Sequence, residues 1–187
     1  MYAPAPGFFG AGAYFERTMR TFLKTADTIS RWSGLICRWG VLALVVALCY
    51  EVTARYVFDR PTIWAHEMSM MLGLFIVCIG WSYVHLNHGH VRVDLFYTRL
   101  SPRGKAITDI ACFLVFFLPL MLVLIYASGK MAWDAYTFHE VLMASFWYPP
   151  ALPIRLVVVF GLLTFLMQGL ADFTRDVYRL VKGASVD

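Results

Sequence analysis

Four stretches of the chain are apolar almost without interruption: 39–58, 64–83, 110–129 and 154–173. Each is about 20 residues long, the length an α-helix needs to cross roughly 30 Å of hydrocarbon. Charged residues, proline or glycine close each stretch, so the pattern predicts an all-α integral membrane protein with four transmembrane helices. Pro119 predicts a kink in the third span. Ser101 followed by Pro102 reads as the N-cap and first helical position of the segment entering that span.

Ahead of the first span the pattern changes. Phe15, Met19, Phe22, Leu23, Ala26 and Ile29 recur at intervals of three and four, while Arg17, Arg20, Lys24 and Arg31 occupy other faces. That periodicity predicts an N-terminal interfacial amphipathic helix over 14–34, lying along the anionic inner leaflet. Residues 1–13 carry Pro4, Pro6, Gly7, Gly10 and Gly12, and are expected to be disordered and to form no helix. The four-helix transmembrane domain then occupies 35–180, and 181–187 form a short tail. The first long apolar run is itself a span, which predicts insertion without a cleaved signal peptide.

Composition supports this reading. Of 187 residues, 60% are hydrophobic and 15% charged, too few polar side chains to cover a soluble domain. The net charge of +4 matters less than its placement. Arg17, Arg20, Lys24, Arg31 and Arg38 precede span one, Arg92, Arg99, Arg103 and Lys105 join spans two and three, and Arg175, Arg179 and Lys182 follow span four. The opposite side holds only Arg55, Arg60, Lys130 and Arg155. Cations concentrate on cytoplasmic loops, so both termini and the middle loop are expected in the cytoplasm. Trp64, Trp133, Tyr136, Trp147 and Tyr148 gather on the other side, at headgroup level. Nucleic-acid binding finds no support in this distribution.

Ionisable residues inside spans require an explanation. Glu51 and Arg55 share a helix face near the outer end of span one, and Glu67 opens span two on the same side. Arg55 is expected to bridge Glu51 and Glu67 across the turn from Asp59 to Thr62. The competing reading makes Glu51 or Glu67 a proton or cation site. In span two Ser69, Gly73 and Gly80 form a small-residue stripe that would admit a neighbouring helix. Gln168 in span four is expected to hydrogen-bond an adjacent helix. The stretch Trp147, Tyr148, Pro149, Pro150, with Arg155 after it, reads equally as a rigid interfacial anchor or as a docking surface for a soluble partner.

Other chemistries fare worse. His85, His88 and His90 lie close together, yet no cysteine or second carboxylate completes a metal site, and a folded turn around Gly89 explains them. Haem needs histidines facing one another inside a bundle, whereas His66, His85, His88, His90 and His139 all fall at span ends or in loops. No G-x-S-x-G elbow supports a hydrolase. Cys37, Cys49, Cys78 and Cys112 form no CxxC pair and are expected to be buried packing residues. These residues point to no catalytic group, no cofactor and no metal.

Two separated motifs carry a family resemblance. Arg55, Tyr56, Val57, Phe58, Pro61, Trp64 and Glu67 form the first, and His90, Val91, Arg92, Val93 and Asp94 the second. With four spans in the same order, the region from Trp39 to Arg179 resembles the small membrane (Q-type) subunit of tripartite ATP-independent periplasmic (TRAP) transporters. Trp147 to Pro150, the Gln168, Gly169, Leu170 run and the N-terminal extension are similar to that family's longer branch. The resemblance implies a bacterial inner-membrane scaffold without enzymatic activity. Its partners would be a large sodium-coupled elevator subunit and a periplasmic substrate-binding protein, working together in organic-acid uptake. By the same resemblance Arg55 and Glu67 would hold the outer ends of the helices, and His90 and Asp94 would order the inner loop. Two readings from other classes stay open at this level: a membrane anchor for a redox enzyme, and a small cation or drug antiporter.

Overall fold

The computed structural model describes residues 7–87, 101–143 and 146–182. Within them the chain forms five α-helices: α1 (Gly7–Tyr56), α2 (Ala65–Leu86), α3 (Pro102–Cys112), α4 (Leu118–Thr137) and α5 (Leu152–Lys182). A five-residue π-helical turn, Phe113–Phe117, joins α3 directly to α4. Four of the resulting rods are long and apolar enough to cross a membrane: Glu16–Tyr56, Ala65–Leu86, Arg103–Thr137 and Leu152–Val181. Four membrane-length helices are therefore present, the number expected from the apolar runs; the run 39–58 extends two residues past the end of α1, and the run 64–83 begins one residue before α2. The fold is an all-α membrane bundle.

The expected break between an interfacial helix over 14–34 and a span beginning at 39 is not there. α1 is one helix of 50 residues, about 75 Å long by the helical rise. No proline lies between Pro6 and Pro61 to end it. Met19, Leu23, Ala26, Ser30, Ser33, Cys37 and Gly40 alternate spacings of four and three straight through the expected boundary. That is the heptad seam of helices packed at a shallow crossing angle. Along it Met19, Leu23, Ala26, Ser30 and Ser33 are buried. The apolar face of the N-terminal segment thus covers protein rather than lying flat on lipid. Helix also extends back to Gly7, inside the stretch expected to form none; both prolines of that stretch precede its first residue, where they interrupt no helical bond.

α5 sits at the centre, packed along α1, α2, α3 and α4. Close approach depends on glycine at particular points. A Cβ on Gly161 of α5 would lie 2.6 Å from the Cys78 carbonyl oxygen of α2, and one on Gly34 of α1 would lie 2.5 Å from the Tyr83 ring. Cys78 is 0% exposed between α2 and α5. Cys49 and Cys112, expected to be buried, are exposed on the outside of the bundle, where lipid rather than protein surrounds an apolar side chain.

The irregularity expected at Pro119 appears one turn earlier. Proline has no N–H to offer the carbonyl four residues before it, which is that of Val115, and the helix widens to π geometry over Phe113–Phe117. Widening sets Phe113 against Phe173 of α5, ring centroids 4.7 Å apart, and Phe117 against Phe165 at 5.2 Å. At the start of α3 the Ser101 hydroxyl accepts the Gly104 N–H at 3.2 Å with Pro102 in the first turn, as that pair of residues predicts.

Candidate functional site

The polar groups of the bundle fall into two clusters, one at each end. The one on the side expected to face outward is built on Glu51. One carboxylate oxygen receives the Arg55 guanidinium, Nη2 at 2.5 Å and Nε at 3.2 Å. The other receives the Thr62 backbone N–H at 3.2 Å and the Thr62 hydroxyl. Glu51 therefore fastens the end of α1 to the residues leading into α2. Asp59 adopts a left-handed conformation (φ 50°) that turns the chain, as a short polar side chain can, and the Arg60 N–H closes onto the Ala54 carbonyl at 2.9 Å.

The expected Arg55 bridge from Glu51 to Glu67 does not form. Among the described residues Arg55 makes its ion pair with Glu51, and its side chain is 52% exposed and directed outward. Glu67 instead lies 1% exposed in the first turn of α2, where the positive end of the helix dipole favours a carboxylate. Trp64, immediately before α2, stacks on Tyr50 of α1 with ring centroids 5.8 Å apart. Tyr56 ends α1 exposed, and Pro61 lies exposed in the turn.

The outer loop between α4 and α5 is pinned at both ends. Val141 and Pro150 form an antiparallel bridge, Leu142 N–H donates to the Pro149 carbonyl at 2.9 Å, and Ala151 N–H donates to the Glu140 carbonyl at 2.9 Å. Arg155 of α5 pairs with Glu140 and donates to the Met131 carbonyl at 2.6 Å. Pro149 is buried, whereas Trp147, Tyr148 and Pro150 are exposed.

At the opposite end, expected to face inward, a chain of hydrogen bonds crosses three helices. The Ser33 hydroxyl of α1 stands 3.0 Å from that of Ser82 of α2. Ser30 donates to Gln168 Oε1 at 2.8 Å, and Gln168 Nε2 donates to Asp27 at 3.3 Å. Arg175 spans Asp27 at 2.6 Å and Asp172 at 2.7 Å. His85 of α2 ends the chain 3.4 Å from Asp172, its ring stacked on Phe117. Every buried member has a partner within the bundle, as a low-dielectric interior requires. The sequence singles out Gln168 of this group. It does not single out Asp27, Ser30, Ser33, Ser82 or Arg175, although Ser30 and Ser33 occupy consecutive seam positions of the α1 heptad.

The small-residue stripe of α2 divides. Gly80 faces α1, where a Cβ would lie 3.5 Å from the Cys37 sulfur, whereas a Cβ on Gly73 would meet nothing within 4 Å. The Ser69 hydroxyl bonds the Ala65 carbonyl of its own helix at 2.7 Å. His90 and Asp94 lie outside the described residues. Among the described residues no three His, Cys, Asp or Glu side chains gather as metal ligands would.

This bundle, whose described ion pairs lie towards its two ends, agrees with a match in sequence. Residues 44–179 match the family model described as tripartite ATP-independent periplasmic transporters, DctQ component. The chain belongs to this family. The matched range contains the Glu51 cluster, α2 and all but the last three residues of α5, and begins inside α1, so Asp27, Ser30 and Ser33 fall in an extension preceding the shared DctQ region. Among curated proteins none matches the chain. DctQ proteins are one component of a tripartite transporter, which makes this chain a multi-pass membrane transport component.

Proposed function

We propose that this chain is the bracing small subunit of a TRAP transporter, holding a larger sodium-coupled elevator subunit in the bilayer during organic-acid uptake. The family match carries the proposal. Internal pairing of polar groups supports it: Glu51 binds Arg55 and Thr62, while Gln168 binds Asp27 and Asp27 binds Arg175 across α1 and α5, a use suited to rigidity rather than to cargo. An elevator carrier needs a fixed surface against which its mobile part slides, and a four-span bundle tied at both ends provides one. In this reading the chain is not an enzyme, binds no substrate, and has both termini in the cytoplasm of a bacterial inner-membrane assembly.

The outer loop supports a second element of the reading, contact with the periplasmic binding protein. Trp147 and Tyr148 are presented beside the more exposed Phe146 and Met143, and the Val141–Pro150 bridge holds their frame in place. Rigid aromatic residues lose little entropy on binding.

Reconstitution tests the proposal. The chain is expected to co-purify with the large subunit in mild detergent and to support uptake in vesicles only when the large subunit and binding protein are also present. Solute accumulation in vesicles holding this polypeptide alone would overturn it.

A further inference from the structure

α1 carries a second heptad pattern beside its buried seam. Arg17, Lys24, Arg31 and Arg38 are spaced seven apart, so they fall in one row about 10 Å between neighbours along the axis. All four are exposed, and among the described residues none has a carboxylate at ion-pair distance. Elsewhere the guanidiniums of Arg55, Arg155, Arg175 and Arg179 each meet an acid. The row is therefore an uncompensated stripe of positive charge rather than part of the bundle's ion-pair scheme.

Its depth follows from packing. Gly34 is level with Tyr83, three residues before the inner end of α2 at Leu86, which places Arg31 level with that end because the two helices run antiparallel. α2 has 22 residues, about 33 Å, close to the thickness of the hydrocarbon layer. Arg31 thus marks the inner boundary. Lys24 lies about 10 Å beyond it and Arg38 about 10 Å within, and both have side chains long enough to reach toward the boundary. Above Arg31 the same face turns apolar and open through Leu35, Trp39 and Leu42, with Trp39 71% exposed.

We propose that this face of α1 binds an anionic phospholipid of the inner leaflet, its phosphate held by Arg31 with Lys24 and Arg38 on either side and its acyl chains along Leu35, Trp39 and Leu42. Charge complementarity selects the occupant, since a row of unpaired cations at headgroup level above an apolar strip matches a phosphodiester above hydrocarbon. The site would fasten the brace at a fixed depth and rotation. It rests on the cytoplasmic placement of the N-terminus given above, but it makes no use of the large subunit.

The test uses the purified full chain in mixed micelles of phosphatidylcholine and phosphatidylglycerol, reading retained phospholipid by mass spectrometry and the thermal midpoint. Wild-type chain is expected to retain phosphatidylglycerol preferentially and to gain stability from it, while soluble glycerol phosphate has no effect. Arg31→Gln should lower the preference roughly five-fold, and the triple change Lys24→Gln, Arg31→Gln, Arg38→Gln roughly a hundred-fold. Arg60→Gln, at the other end of α1, should leave it unchanged. The Arg31→Lys, Arg38→Lys variant keeps the charge and should retain most of the preference, which guards against a neutral variant that fails to fold.

A wild-type chain indifferent to phosphatidylglycerol, or a folded triple variant that keeps the preference, overturns the site. So does a result in which the stripe captures an acidic protein and no lipid. Because the isolated chain is used, these outcomes are separate from any failure of assembly with the large subunit.

Discussion

Ser30 on α1 and Gln168 on α5, 138 residues apart in sequence, are both wholly enclosed and joined by a 2.8 Å hydrogen bond from the serine hydroxyl to the amide oxygen. The amide nitrogen continues the link to Asp27, whose other oxygen takes Arg175. One side chain thus couples the N-terminal extension to the centre of the transmembrane bundle, and neither end could re-solvate if the link were cut.

Gln168→Leu should destabilise the bundle by about 1–2 kcal/mol, since it strands the Ser30 hydroxyl and one Asp27 bond while preserving volume. Ser30→Ala removes only one bond and should cost less. Thermal midpoints of the two variants in the same detergent would check the order. An equal or larger loss in Ser30→Ala would mean that Gln168 is held by packing rather than by its amide.

The glycines separate by what surrounds them. Gly161→Ala forces a methyl onto the Cys78 carbonyl of α2, a backbone atom that cannot rotate away, and should cost about 1–3 kcal/mol. Gly73→Ala meets open space and should be neutral or gain up to about 1 kcal/mol from helix propensity. Denaturation of each variant as an isolated chain reads both values. Gly73 has the stronger claim from the sequence, as a member of the Ser69, Gly73, Gly80 stripe. Spacing along α2 does not reveal that α1 meets this helix at Gly80 and that α5 meets it at Cys78.

The same contrast runs through the whole chain. The four spans are legible because lipid imposes a length and an apolar composition that little else satisfies. The Ser101 cap is legible because its partner lies three residues away. The Glu51 tie is half legible: the i, i+4 relation to Arg55 is local, but Thr62 competes for the second oxygen only once the turn at Asp59 is formed. The inner hydrogen-bond chain is almost invisible, since Asp27, Ser82 and Arg175 are brought together by helix order alone. The heptad of α1 is present in the sequence, but its seam residues shrink from methionine to serine to glycine, and a search for apolar residues passes over them.

The N-terminal extension should depend on its ion pair. Asp27→Arg sets a second cation against Arg175 and removes the Gln168 contact, so the segment before Ser30 should open more often. Limited trypsin digestion is expected to cut at Arg17, Arg20 and Lys24 several-fold faster than in the parent chain. Combining Asp27→Arg with Arg175→Asp should restore part of the protection, although Asp172 then loses Arg175 and keeps His85 beside it. Undiminished protection in Asp27→Arg would show that Met19, Leu23 and Ala26 alone hold the segment down.

The two outer carboxylates should respond differently from what their proximity in sequence suggests. Glu51→Ala removes both the Arg55 pair and the two Thr62 bonds, so it should loosen the turn into α2 more than Thr62→Val, and Thr62→Val more than Arg55→Ala, because Arg55 is half in solvent. Glu67→Gln keeps the shape of a buried side chain and replaces its carboxyl with an amide. In a bracing subunit it should leave both assembly with the large subunit and uptake by the complete transporter close to wild type. If Glu67→Gln abolished ion coupling in an assembled complex, the carboxylate would belong to the transport cycle, and the antiporter-like reading of these residues would return in place of a structural one.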